Sequence, residues 1–184
     1  RFTPAVQKNH KAGMHAPGGL PLPSLPMEPA LSQIIERVRA AQADQQTLRI
    51  QGGGSKDFHG LALHGEALDV RPLQGIVDYE PSELVVTVRA GTPLAELEAL
   101  LAAHGQMLAF EPPRFAPGGT VGGCVAAGLA GPRRAAVGGV RDFVLGARLI
   151  DGRGELLRFG GEVMKNVAGY DVSRALAGSL GTLG

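Results

Sequence analysis

The chain has 184 residues, room for about one domain with a real core. Hydrophobic residues make up 44% and charged residues 19%, ordinary for a soluble globular protein, and the formal net charge is +1. That balance gives no electrostatic reason to expect nucleic acid or an anionic membrane as partner. With aromatics at 4% and no Trp, a platform for stacking bases is disfavoured as well. The unusual numbers are 28 glycines and 13 prolines. Without a collagen period they mean either disorder or many positions where the backbone must be bare. A single cysteine, Cys124, excludes an internal disulfide and favours a reducing compartment. No apolar run is long enough to span a bilayer, and no signal-peptide core follows a basic start, so a cytoplasmic location is expected.

Residues 1–26 have no periodicity and carry Pro17, Gly18, Gly19, Pro21, Pro23 and Pro26. They read as a disordered or non-native leader, with the folded unit over 27–184. Leu31, Ile34, Ile35 and Val38 behind Pro29 predict a helix over 28–43. A strand over 48–51 follows, then another short one around Leu68, Asp69 and Val70, and a β-branched strand over 84–89. Thr92 and Pro93 read as the N-cap and first residue of a helix lined by Leu94, Leu97 and Leu101 and ended by Gly105. Residues 115–139 are rich in glycine and nearly free of acids. Strands over 144–150 and 155–159 flank Asp151-Gly152-Arg153-Gly154, a hairpin pattern. A short helix over 171–177 leads to a last glycine-rich run, where a further strand is expected next. The class is α+β.

Three glycine constellations carry the chemistry. The first is Gly52-Gly53-Gly54-Ser55-Lys56, directly after a strand. Consecutive glycines let several N–H groups point into one concavity, which is an anion nest, and no Cβ keeps a pyrophosphate away. Ser55 adds a hydroxyl and Lys56 a charge. A flexible surface loop is the competing reading. The second is Pro117-Gly118-Gly119-Thr120-Val121-Gly122-Gly123, followed by Cys124, Val125, Ala126, Ala127 and Gly128. It is bare enough for a large flat ligand, or for a packing seam of small residues. The third is Gly178-Ser179-Leu180-Gly181-Thr182-Leu183-Gly184, which reads equally as a helix-to-strand loop. Neither a Walker-type phosphate loop nor a Rossmann G-x-G-x-x-G pattern is present in the first loop. Taken together, the loops suggest a long dinucleotide laid across two subdomains.

These residues, in this order, with Lys165-Asn166-Val167-Ala168-Gly169-Tyr170-Asp171 between the second and third, resemble the FAD-binding domain of the vanillyl-alcohol oxidase/PCMH superfamily. Within it, residues 48–55, 110–131 and 140–184 look most like the E-subunit family of bacterial glycolate oxidases, and 141–146 and 159–166 are the most specific segments. The resemblance covers about 27–184. It implies a two-subdomain PCMH-type fold with FAD between the subdomains, here C-terminally truncated, since the substrate-side cap domain would follow. It implies that residues 52–56 and 117–123 hold the pyrophosphate and flank the flavin. It also implies a second flavoprotein subunit, an iron–sulfur subunit, a small 2-hydroxy acid as substrate, and a location that partner subunits can bring to the inner membrane. With the cap absent, no catalytic residue is assigned. Some members attach FAD through a histidine near the first loop. Neither His59 nor His64 matches that placement, so non-covalent FAD is expected.

Other residues have plainer readings. Cys124 has no basic neighbour in sequence and reads as a buried small residue rather than a redox thiol. His59, His64 and His104 lack metal-ligand spacing, and His104 fits a helix C-terminus. Arg133 and Arg134 fit either a cofactor phosphate, a partner, or a solvated turn. Asp171 reads as an N-cap. The expected activity is that of a glycolate oxidase-like flavin-dependent oxidoreductase subunit, passing a hydride from substrate to flavin and electrons onward. The alternatives are an FAD-holding assembly subunit without its own turnover, and a nicotinamide-dependent reductase on the same scaffold.

Overall fold

The computed structural model describes residues 3–4, 28–60, 62, 64–160 and 171–184. The expectation for residues 1–26 therefore falls outside the described residues, except that Thr3–Pro4 (β1) runs parallel beside the strand Val85–Val88 (β5). The Lys165, Asn166 and Tyr170 cluster also lies outside them.

Helix α1 (Pro29–Ala43) starts on a proline, at a position where a backbone N–H would have no intrahelical partner. Leu31, Ile34, Ile35 and Ala41 are its buried stripe. Strand β2 (Leu48–Gln51) pairs parallel with β3 (Glu66–Asp69), Leu48 opposite Glu66 and Gln51 opposite Asp69. Two parallel neighbours need a crossover of about a dozen residues. Here the chain between Gln51 and Glu66 makes that crossover, and its first part is the Gly-Gly-Gly-Ser run.

Strand β4 (Ile76–Glu80) is antiparallel to β5 (Val85–Val88), giving a sheet of order β1-β5-β4. The sequence pattern does not announce β4, because the register shifts between Ile76 and Asp78 and burial does not alternate along it. Helix α2 (Leu94–Ala103) buries Leu94, Leu97 and Leu101 as expected, and Gly105 closes it with φ +68°.

Thr92 is a correction. The N-cap is Pro93. Thr92 is fully buried, and its hydroxyl accepts from the Gly75 N–H (2.9 Å) and donates to the Gly75 carbonyl (3.3 Å). The side chain serves a distant turn, a need that local sequence cannot show.

The glycine-rich stretch after Phe115 is more ordered than its composition implies. It contains α3 (Val121–Ala127), α4 (Arg134–Val137) and a 3-10 turn at Val140–Phe143. The hairpin is β6 (Gly146–Ile150) and β7 (Leu156–Gly160), antiparallel with Ile150 opposite Leu156. Asp151 holds its turn by accepting from the N–H groups of Arg153 (2.9 Å) and Glu155 (2.8 Å). Helix α5 (Val172–Ala175) is capped by Asp171, whose carboxylate accepts from the Arg174 N–H at 3.2 Å. The main core joins Val86 of β5, the three leucines of α2, Val121 and Cys124 of α3, and Phe110, Val140 and Phe143.

Candidate functional site

Helix α3 is the structural centre of the site. Val-Gly-Gly-Cys-Val-Ala-Ala is a poor helix former, since each interior glycine costs about 1 kcal/mol. Three devices hold it. The Thr120 hydroxyl caps the start, accepting from the Gly123 N–H at 3.1 Å. Val121 and Cys124 are buried against the core. Gly128 ends it in the left-handed conformation at φ +63°.

The first two glycine constellations meet at the N-terminal end of this helix. A Cβ on Gly53 would lie 1.5 Å from the Gly118 carbonyl oxygen, so the two loops touch backbone to backbone. A Cβ on Gly52 would meet the Thr120 hydroxyl at 2.6 Å, and one on Gly119 would meet the Ser55 hydroxyl at 3.2 Å. Gly54 at φ +69° and Gly118 at φ +87° supply the left-handed turns this approach requires. Among the described residues, Gly52, Gly53, Ser55 and Gly118 make no backbone hydrogen bond. Gly52, Gly53 and Ser55 are half-buried and Gly118 is exposed, so this junction is open to a ligand, which an anion nest requires. The Lys56 ammonium is close enough to oppose the upward shift of the Cys124 thiol. Burial dominates there and pushes the thiol up to about 11. Cys124 is thus the buried, protonated residue its sequence context indicated.

Gly122 has a different part. Its N–H donates to the Ala90 carbonyl at 2.7 Å, and a Cβ would meet the Ala90 Cβ at 2.8 Å. This glycine packs α3 against Ala90, two residues beyond the end of β5, the seam that is the competing reading of the motif. Gly123 spends its N–H on the Thr120 cap.

The third constellation clasps the other end of α3. The Gly178 N–H donates to the Val125 carbonyl (3.0 Å) and the Leu180 N–H to the Ala126 carbonyl (2.9 Å). These satisfy carbonyls that a helix C-terminus leaves without partners. A Cβ on Gly128 would lie 2.8 Å from the Gly178 Cα. Gly181 reaches β2, where a Cβ would meet Ile50 at 3.3 Å. At this end a cleft of about 350 Å³ opens, lined by Gly128, Arg134, Gly139, Arg141, Ala177 and Gly178. With seven residues at about 1.5 Å rise, α3 separates the cleft from the loop junction by about 10 Å. Sequence reasoning found the three loops but not this cleft. Arg134 lines it, whereas the Arg133 guanidinium turns to the Met107 sulfur (3.4 Å). His104 sits at the C-terminus of α2, its Nδ1 3.0 Å from the Leu100 carbonyl. Among the described residues no group of three or more His, Cys, Asp or Glu could hold a metal.

A glycine-loop nest at one end of a short capped helix, and a polar cleft at the other, define a dinucleotide-binding α+β domain. Residues 30–160 match the family described as FAD binding domain. The chain belongs to that family, and its fold is the PCMH-type FAD-binding fold. FAD is the cofactor that follows from the family. The chain is 58% identical over 151 residues to the glycolate oxidase subunit GlcE of Escherichia coli, covering 82% of this chain and 43% of that protein. It is 34% identical over 167 residues to the D-2-hydroxyglutarate dehydrogenase of Xanthomonas citri pv. viticola, covering 86% and 35%. The glycolate oxidase subunit GlcD of Bacillus subtilis is 32% identical over 167 residues, covering 89% and 35%. A solved alkyldihydroxyacetonephosphate synthase shares the fold at TM-score 0.67 and 23% identity, covering 83% of this chain and 28% of that one. The chain spans less than half the length of these relatives.

Proposed function

We propose that the chain is the FAD-holding portion of a flavin-dependent oxidoreductase subunit in a glycolate oxidase-like complex. The observation that carries the reading is the junction of residues 52–56 with 117–119, where N–H groups without a backbone partner among the described residues are brought together at the start of α3. In this reading the N–H groups of Gly52, Gly53, Gly54, Ser55, Gly118 and Gly119 receive the pyrophosphate, with the Ser55 hydroxyl and Lys56 charge beside them. Pro117 fixes the entry of the second loop. Thr120, Gly122 and Gly123 act through the cap and packing of α3. Arg134 and Arg141 line the cleft at its far end, within reach of the rest of a long dinucleotide.

When bound, the flavin supplies a two-electron acceptor for the hydride that a 2-hydroxy acid loses from its α-carbon, the hydroxyl proton leaving separately, and relays the electrons onward. The chain's own part is to bind, orient and exclude water. The nest offsets the pyrophosphate charge, and the buried face of α3 keeps the nest rigid. Attachment is non-covalent in this reading. The names of the relatives support glycolate or a similar 2-hydroxy acid as substrate and other subunits as partners. A second flavoprotein and an iron–sulfur subunit as those partners belong to the same proposal. A cytoplasmic location, peripheral to the inner membrane through those subunits, is part of the same proposal.

Anaerobic addition of glycolate to the assembled complex tests this reading. Bleaching of the visible flavin band is expected, and at limiting FAD the share of it contributed by this subunit should fall when its nest is altered by Gly119→Val. Bleaching that survives unchanged in that variant would favour an assembly role without turnover.

A further inference from the structure

Phe58 and Phe115 break the rule by which this chain buries its aromatics. Phe110 and Phe143 pack at 3% and 7% exposure inside the core. Phe58 and Phe115 are 65% and 52% exposed, yet they are stacked edge to face with ring centroids 4.9 Å apart and planes at 77°. A phenyl ring has no polar handle to reward exposure, so two of them held together at the surface form an apolar wall awaiting a partner.

Their position says which partner. Phe58 stands three residues after Ser55 and Phe115 two residues before Pro117, one on each of the loops that meet at Gly53 and Gly118. The ring pair therefore ties together the same two loops that meet at Gly53 and Gly118. A ligand held there by its pyrophosphate carries one ring system on each side of the anion. The cleft at the far end of α3 presents Arg134, Arg141, Asp142 and bare backbone, suited to the hydrogen-bonding rim of adenine. The phenyl wall offers no hydrogen bond and suits the dimethylbenzene edge of an isoalloxazine. We propose that Phe58 and Phe115 are positioning residues that seat the isoalloxazine ring of FAD, an inference that rests on the FAD reading above.

The test compares the whole cofactor with the half that lacks the ring. Full-length wild-type protein is titrated with FAD and, separately, with ADP, beside the double variants Phe58→Ala/Phe115→Ala and Phe58→Leu/Phe115→Leu. The alanine pair should bind FAD about tenfold more weakly while binding ADP as the wild type does. The visible band of its bound FAD should move toward that of free FAD. The leucine pair, which keeps apolar bulk on an exposed surface, should recover most of the affinity. Unchanged FAD affinity and spectrum in the alanine pair would overturn the proposal and assign the wall to a protein partner. Equal losses for FAD and ADP in both pairs would overturn it too, as general distortion of the loops. Wild-type protein that binds ADP but not FAD, or neither, would take down the FAD reading itself, a result distinct from either of these.

Discussion

At the scale of single residues, the glycines of one motif are not interchangeable. Gly53 is bare because a carbonyl oxygen occupies the place of its Cβ at 1.5 Å. Gly53→Ala should therefore destabilise the fold itself, by about 1–3 kcal/mol as overpacking usually does, and lower the melting temperature in the absence of FAD. Gly119 meets only the Ser55 hydroxyl at 3.2 Å and has no left-handed φ. Gly119→Val should leave the melting temperature near that of wild type and weaken FAD binding about tenfold, about 1.4 kcal/mol, in an equilibrium titration. Gly152 is the matched control, with nothing within 4 Å of its Cβ position, and Gly152→Val should change neither quantity. Gly65 is unsuited to that purpose, since it adopts φ +97° and a Cβ would strike the Thr47 carbonyl oxygen at 2.5 Å.

Cys124 gives a pH test at the same scale. Burial raises its thiol from an ordinary 9.0 to about 11, so the folded state favours the neutral form. A raised folded value means stability fully present below about 9 and lost as pH climbs toward 11. A Cys124→Ala variant should lose this part of the alkaline decline. In the wild type, alkylation of Cys124 near neutral pH should be no faster than unfolding. Rapid labelling of the native protein would contradict the buried, protonated assignment.

At the scale of elements, what the sequence made legible was what local pattern controls. The apolar stripe of α1 behind Pro29, the leucines of α2, and the hairpin around Asp151 follow from spacing and turn chemistry. Helix α3 was hidden because its propensity is poor and its stability comes from the Thr120 cap, the Gly122–Ala90 seam and the clasp by residues 178–180. Strand β4 was hidden by its register shift. Thr92 looked like a cap because Thr-Pro before a leucine stripe is a common start, and only the fold brings Gly75 to its hydroxyl. Thr92→Val keeps the volume and orphans the Gly75 N–H. It should cost about 1–3 kcal/mol, read as a lower denaturant midpoint at unchanged slope.

At the scale of the whole molecule, three glycine runs separated along the chain become one site because a single short helix gathers them. The first two close on its N-terminal end, and the third satisfies carbonyls at its C-terminal end. The three glycine runs were legible from composition and order, and the resemblance to a flavoprotein family supplied the cofactor. The division of labour among them was not legible, because it depends on which N–H groups the fold consumes. Gly122 and Gly123 look like ligand glycines in sequence and are spent on packing and capping. The N–H groups of Gly52, Gly53, Gly54, Ser55, Gly118 and Gly119 are left without a backbone partner among the described residues. The central claim is that this junction receives the pyrophosphate of FAD. It is tested most directly by titrating full-length apoprotein with FAD while following the visible flavin spectrum, in wild type and in Gly119→Val. A saturable, perturbed flavin spectrum in the wild type, shifted to about tenfold higher concentration in the variant, is the predicted result. A wild type with no flavin spectrum and no FAD affinity, alone or with its partner subunits, would contradict the account.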